Sequence, residues 1–303
     1  MQKEENYIPY YYDALFYKIF GDEKDTSLLK RIIELSLNIE IDELIILNDK
    51  LLGDKHKTKK SYLDLYVKLK DETKINIEVN SNTENYIFDR NLFFLSKIMA
   101  NDIEIGDSYH EFKKHYQINF NASNTRQKEK VMKYNIINKE TGEIFSDKME
   151  IVNIDLVSFY ELCYTNGTLK QLNDFEKIMG LLGCKTKDQE KLFSSEKGII
   201  EKIMKKAEKF RDDSEMIEMY DRDKVIASMY EKDKKESIKK AVELAISETT
   251  KEVTKEVTNK VTKEVSESKA KDIARNLLEM NMDVHNISKA TGLTIEEVNT
   301  LKK

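Results

Sequence analysis

Two short runs, SYLDLYVKL from Ser61 to Leu69 and KINIEVN from Lys74 to Asn80, constrain this chain more than any other feature. Each alternates apolar and polar residues with the period of two that a β-strand imposes. In the first, Leu63, Leu65, Val67 and Leu69 share one face, and Tyr62, Asp64, Tyr66 and Lys68 the other. In the second, Ile75, Ile77 and Val79 oppose Asn76, Glu78 and Asn80. Paired strands match face to face, so Leu65 is expected opposite Ile77, Asp64 opposite Glu78, and Tyr62 opposite Asn80. A one-residue slip would set every apolar residue against a polar one.

That register brings two carboxylates side by side, with β-carbons roughly 4.5 to 5.5 Å apart, and like charges so placed destabilise a sheet unless something neutralises them. A divalent cation does so naturally. Carboxylate oxygens suit Mg²⁺ or Mn²⁺, and Mg²⁺ is commonly held by one or two carboxylates with water and substrate phosphate completing its shell. A metal so placed activates water and stabilises charge on phosphate, which is phosphodiesterase chemistry. A plainer alternative stands beside this one: an exposed hairpin face on which Asp64 and Glu78 are simply solvated.

Around these runs the chain reads as an α/β domain over residues 1–168. Apolar residues at helical spacing predict helices from Tyr10 to Phe20, ended by Gly21, and over the run of Leu28, Leu29, Ile32, Ile33 and Leu37. A third helix is expected from about Tyr86 to Met99. Further strands are expected at Glu43–Leu47, His115–Asn121, Val131–Asn138 and Met149–Val157. Residues 169–268 read as a charged helical region, with no Pro or Gly between Gly198 and Gly292. Inside it, KEVTKEVTNKVTKEV spaces Val253, Val257, Val261 and Val265 by four, which overshoots the helical repeat of roughly 3.6, so the stripe drifts round the helix. It suits a solvated helix, a coiled-coil-like contact with a second copy, or a linker. Residues 269–303 form a small helix-turn-helix-like tail, where Thr294 and Glu297 make a capping box after Gly292. The adjacent Glu296 and Glu297 speak against DNA contact there.

The formal net charge of -5 excludes a globally basic nucleic-acid binder, so any such surface must be local. Lys55 to Lys60, KHKTKK, is such a surface; its Lys57, Lys59 and Lys60 lead into the Asp64 strand and suit a phosphate backbone or a solvated loop equally. Tyr10, Tyr11 and Tyr12 suit core packing better than base stacking. No apolar run approaches the roughly 18 residues of a membrane span. Cys163 and Cys184 are too few for a disulfide framework and read as buried thiols of a soluble, cytoplasmic protein.

In order, DALFYKIFGDEKDTSLLKRII, LDLYVKL, INIEVN, FDRNLFFLSKI and GDSYHEFKKHYQINF resemble the PD-(D/E)XK nuclease family transposases, and within them the recombination-promoting nuclease (Rpn) group. The terminal KATGLTIEEVNTL resembles the tail of that group. The resemblance implies a restriction-endonuclease-like mixed sheet flanked by helices and Mg²⁺-dependent cleavage of DNA. By position it makes Asp64 and Glu78 the metal ligands. It puts Asn80 where the superfamily has a lysine, and an asparagine brings no positive charge. Lys18, in the first-helix motif with Asp13, is the candidate for the missing cation. Arg90 is expected to face phosphate and Tyr109 to be structural. The function implied is a metal-dependent DNA endonuclease of transposase-like ancestry that promotes recombination. The alternatives are a catalytically weak or inactive fold serving as a DNA-binding or oligomerisation module, and an antiphage defence nuclease.

Overall fold

The alternating runs form adjacent antiparallel strands in the computed structural model, which describes residues 7–47, 65–81, 87–103, 108–123 and 128–302. The six strands are β1 (Leu44–Ile46), β2 (Leu65–Leu69), β3 (Lys74–Asn80), β4 (His115–Asn121), β5 (Val131–Tyr134) and β6 (Met149–Asp155). They make one mixed sheet in the order β1-β2-β3-β4-β6-β5. β1, β2 and β3 are antiparallel neighbours, β3, β4 and β6 are parallel, and β5 closes one edge antiparallel to β6. Leu65 pairs with Ile77 and Val67 with Ile75, the register that alternation demands. Asp64 and Tyr62 lie outside the described residues.

A parallel pair needs a crossover, and between β3 and β4 the crossover contains α3 (Ile87–Ala100). This helix buries Ile87, Asn91, Leu95 and Ile98, and Tyr66, on the polar face of the sheet, clusters with Ile98 and Phe94. On the opposite face, Leu65, Val67, Ile75, Ile77, Val79, Ile118, Phe120, Val152 and Ile154 form one core. They pack with α1 (Asp13–Phe20), α2 (Ser27–Leu37), α4 (Leu156–Thr165), α5 (Asp174–Leu182) and α7 (Ile199–Arg211), and Phe16 of α1 meets Phe120 of β4 with ring centroids 5.7 Å apart.

The strand expected to reach Val157 stops at Asp155 because that side chain caps a helix. Its Oδ1 accepts from the Val157 and Ser158 backbone N–H groups at 3.0 and 3.2 Å, and Oδ2 accepts from the Ser158 hydroxyl at 2.8 Å. α5 starts from a full capping box, Asn173 with Glu176, and lies close on α4 because Gly180 and Gly183 carry no Cβ. A Cβ at Gly183 would run into the Leu156 carbonyl, and one at Gly180 into the Cys163 sulfur. Cys163 and Cys184 are free, buried thiols, and burial pushes the Cys163 thiol up to about 11.

Residues just beyond 168 contribute to the first core. Leu169, Ile178, Leu182, Phe193, Ile200, Ile203 and Met216 belong to the sheet's core, and the chain divides into compact units at Asp223/Lys224. The short α6 (Lys187–Glu190) brings Glu190 to Arg211, a buried pair at 2.6 Å. The Arg211 guanidinium also lies 4.5 Å from the Tyr10 ring centroid, so Tyr10 is core, as expected.

α8 (Ser214–Glu279) begins in the first unit and runs on into the second, and its side chains over residues 223–269 are exposed, the valine stripe included. In the second unit Ala274 packs with Ile287 of α9 (Val284–Thr291), Leu293 of the turn after it and Val298 of α10 (Ile295–Thr300). Gly292 ends α9 at φ 76°, and the Thr294–Glu297 capping box starts α10, as the sequence requires. Among the described residues no helix is long and apolar enough to cross a membrane.

Candidate active site

The polar residues of β3, β4 and β6 do not face solvent. Pairing sets Asn76 beside Gln117, Glu78 beside Asn119, Asn80 beside Asn121, Asn119 beside Asn153 and Asn121 beside Asp155. All are buried. Buried polar groups must find partners, and these find one another. The Asn76 amide donates to Gln117 at 2.8 Å, Gln117 to Asn119 at 2.8 Å, and Asn119 to Asn153 at 2.7 Å. Asn80 donates to Asn121 at 2.9 Å. The exposed, merely solvated Glu78 that alternation had left open is thereby excluded: its residue is 2% exposed.

A carboxylate taken from water needs compensation. Asn76 donates to Glu78 Oε1 at 3.2 Å, and the guanidinium of Arg90, reaching in from α3, stands 3.5 Å from Oε2. The same guanidinium donates to Asn80 Oδ1 at 3.0 Å. One cation thus joins Glu78 and Asn80. α3 presents Arg90 and the buried Asn91 at adjacent positions of one turn, and Arg90 lies 5.8 Å from the Phe94 ring centroid.

Lys18 is placed elsewhere. Five residues along α1 from Asp13, it is turned roughly 140° round the helix, and its ammonium lies over the Phe210 ring at 5.9 Å. Asp13 itself, partly open to solvent, has its carboxyl pushed up to about 6 by desolvation, with Arg90 pulling it down and Asp223 raising it. Asp223 accepts from the Tyr12 hydroxyl at 2.7 Å. Tyr109 sits in a one-turn helix and is 86% exposed, which corrects the structural role expected of it. Asp64, Lys57, Lys59 and Lys60 lie outside the described residues.

At the other end of the same strands His115, 1% exposed, is held with Nε2 3.4 Å from Asp102, which also pairs with Lys74. Burial lowers its imidazole to about 4, and Lys74, which already neutralises Asp102, adds to the lowering. Sequence reading missed this cluster, because Asp102 follows α3 in a stretch without periodicity.

Among the described residues no three His, Cys, Asp or Glu side chains converge as a metal cage. What the described site offers a cation is the Glu78 carboxylate and the Asn80 amide oxygen, hard donors that fit Mg²⁺ or Mn²⁺. The α/β domain thus carries a buried carboxylate and a cation on the covered face of a mixed sheet. The chain belongs to the PD-(D/E)XK nuclease family transposases, whose family model matches residues 10–241. No curated protein and no solved structure matches it significantly.

Proposed function

We propose that this chain is a metal-dependent DNA endonuclease that hydrolyses phosphodiester bonds and, as befits its transposase family, opens DNA for recombination. The observation that carries the reading is the buried Glu78 carboxylate, flanked by Arg90 and Asn80, in a strand whose register with β2 begins at Leu65↔Ile77, one residue from Asp64. Glu78 and Asp64 are assigned to Mg²⁺ or Mn²⁺. When bound, the metal would supply an activated water and charge stabilisation at the phosphate.

The chain's own residues do the remaining work. Arg90 holds positive charge beside Asn80, where the resemblance puts the superfamily's lysine, and is assigned the role that sequence position had suggested for Lys18. Asn80, with its oxygen held by Arg90 and its nitrogen by Asn121, orients water. Asp13, whose carboxyl titrates at about 6, is suited to exchange protons with water near neutral pH. Lys57, Lys59 and Lys60 are assigned to the DNA backbone.

The test is nicking of supercoiled duplex DNA by the purified chain in Mg²⁺ and in Mn²⁺. Wild type should nick, whereas Glu78→Gln and Asp64→Asn, with unchanged circular dichroism, should not. A wild-type chain inert in both metals overturns the enzyme. If calorimetry then shows Mg²⁺ binding without turnover, the fold is a DNA-binding module.

A further inference from the structure

The inner face of α3 carries a polar group that has found no partner. Asn91, 2% exposed, is buried with Ile87, Leu95 and Ile98, yet neither its Oδ1 nor its Nδ2 is hydrogen-bonded among the described residues. Asn76 Oδ1, also buried, is unpaired as well. A buried polar atom left without a partner is costly, and where one persists it marks a water, an ion or a functional demand.

The level of Asn91 along the sheet follows from its neighbours. Ile98 clusters with Tyr66, which pairs with Asn76. Asn91 lies on the same helix face roughly 10 Å earlier, while Glu78 and Asn80 lie roughly 7 and 13 Å beyond Asn76 along β3. Asn91 therefore stands at the level of Glu78 and Asn80, where Arg90, beside it on the helix, touches both.

The amide nitrogens around Glu78 are already engaged. Asn76 donates to Glu78 and Gln117, Gln117 to Asn119, Asn119 to Asn153, and Asn80 to Asn121. The two unpaired oxygens thus call for donors from outside the protein. Water on a cation is such a donor: Mg²⁺ keeps several waters, and the metal takes up their lone pairs and leaves their hydrogens. We propose that Asn91 is a positioning residue of the metal site, its Oδ1, with Asn76 Oδ1, accepting hydrogen bonds from the hydration water of the Mg²⁺ or Mn²⁺ that Glu78 holds. The inference rests on the reading of Glu78 as a metal ligand.

The experiment is calorimetric titration of Mg²⁺ into the full chain, beside urea unfolding in EDTA. Wild type should bind Mg²⁺, Glu78→Gln should not, and Asn91→Leu should bind with Kd raised about 10-fold or more. Asn91→Asp, which keeps an acceptor and drops the donor, should bind at least as tightly as wild type. Without metal, Asn91→Leu should unfold at a urea concentration no lower than wild type, because it removes unpaired groups from a buried position. Unchanged Mg²⁺ affinity of Asn91→Leu, or a weaker fold without metal, is what a purely structural amide gives, and either overturns the proposal. So does Asn91→Asp binding as weakly as Asn91→Leu. A wild type that binds no Mg²⁺, or a Glu78→Gln that binds it equally well, overturns the reading of Glu78 and this inference with it. Loss of binding in Glu78→Gln beside wild-type affinity in Asn91→Leu overturns this inference alone. Should Asn91→Leu fail to fold, Asn91→Ala replaces it in the titration with the same expected loss.

Discussion

Arg90→Gln and Glu78→Gln, separately and together, test whether one ion pair organises the site. The guanidinium stands 3.5 Å from Glu78, whose side chain is 3% exposed while that of Arg90 is 40% exposed. At an effective dielectric of about 20, unit charges at that distance attract by about 5 kcal/mol. The exposed arginine is screened by water, which we take to halve this to about 2 kcal/mol. Its bond to Asn80 at 3.0 Å is charge-assisted and adds about 1.5 kcal/mol. Arg90→Gln should therefore lower the unfolding free energy by about 3.5 kcal/mol at pH 7, and the coupling with Glu78→Gln in a double-mutant cycle should be about 2 kcal/mol. Urea unfolding of the four proteins measures both. If the two single effects add within about 0.5 kcal/mol, the pair is a surface contact of no consequence and the account of how Glu78 stays charged is wrong.

Other perturbations follow from the same structure. Asp13 has a folded-state pKa of about 6 against 3.8 when unfolded, so its contribution is present below 3.8 and lost as pH rises to about 6; Asp13→Asn should flatten that fall in a series of thermal melts, and an unchanged profile refutes the raised carboxyl. His115 carries the opposite sign. Its stabilisation is present above 6.5 and lost as pH falls towards 4, by up to about 3 kcal/mol, and urea unfolding of His115→Gln at pH 7 and pH 4.5 should show that loss removed. Gly183→Ala forces a Cβ against the Leu156 carbonyl and should cost about 3 kcal/mol in urea midpoint terms; a variant as stable as wild type would mean that α5 does not lie so close on α4.

Much of the fold was legible because the sheet is written in alternation. β3 and β4 fall on the predicted residues, and the Leu65↔Ile77 register follows from the face rule alone. Two points escape it for local reasons. Asp155 reads as one more polar strand residue, yet it caps a helix, and nothing in a period of two distinguishes those uses. That Leu169, Ile178 and Ile200 join the sheet's core was not legible because they look like the apolar stripe of any amphipathic helix, and periodicity does not say which core a stripe will join.

The site was less legible, and its cation shows why. Reading the motif by position finds Asn80, which brings no charge, and turns to the nearest motif-borne lysine, Lys18. The cation that stands beside Asn80 is one that α3 brings across space, Arg90. Arg90 is ten residues from Asn80 along the chain but within hydrogen-bonding distance of it, because the crossover helix must lie back over the face of the parallel strands it connects. That same placement turns the alternation's polar face into a buried one. Glu78 then needs a cation, and the amides beside it need one another. The covered polar face and the arginine beside Asn80 are thus consequences of a single topological fact, the helix between β3 and β4, which pattern along the strands cannot express.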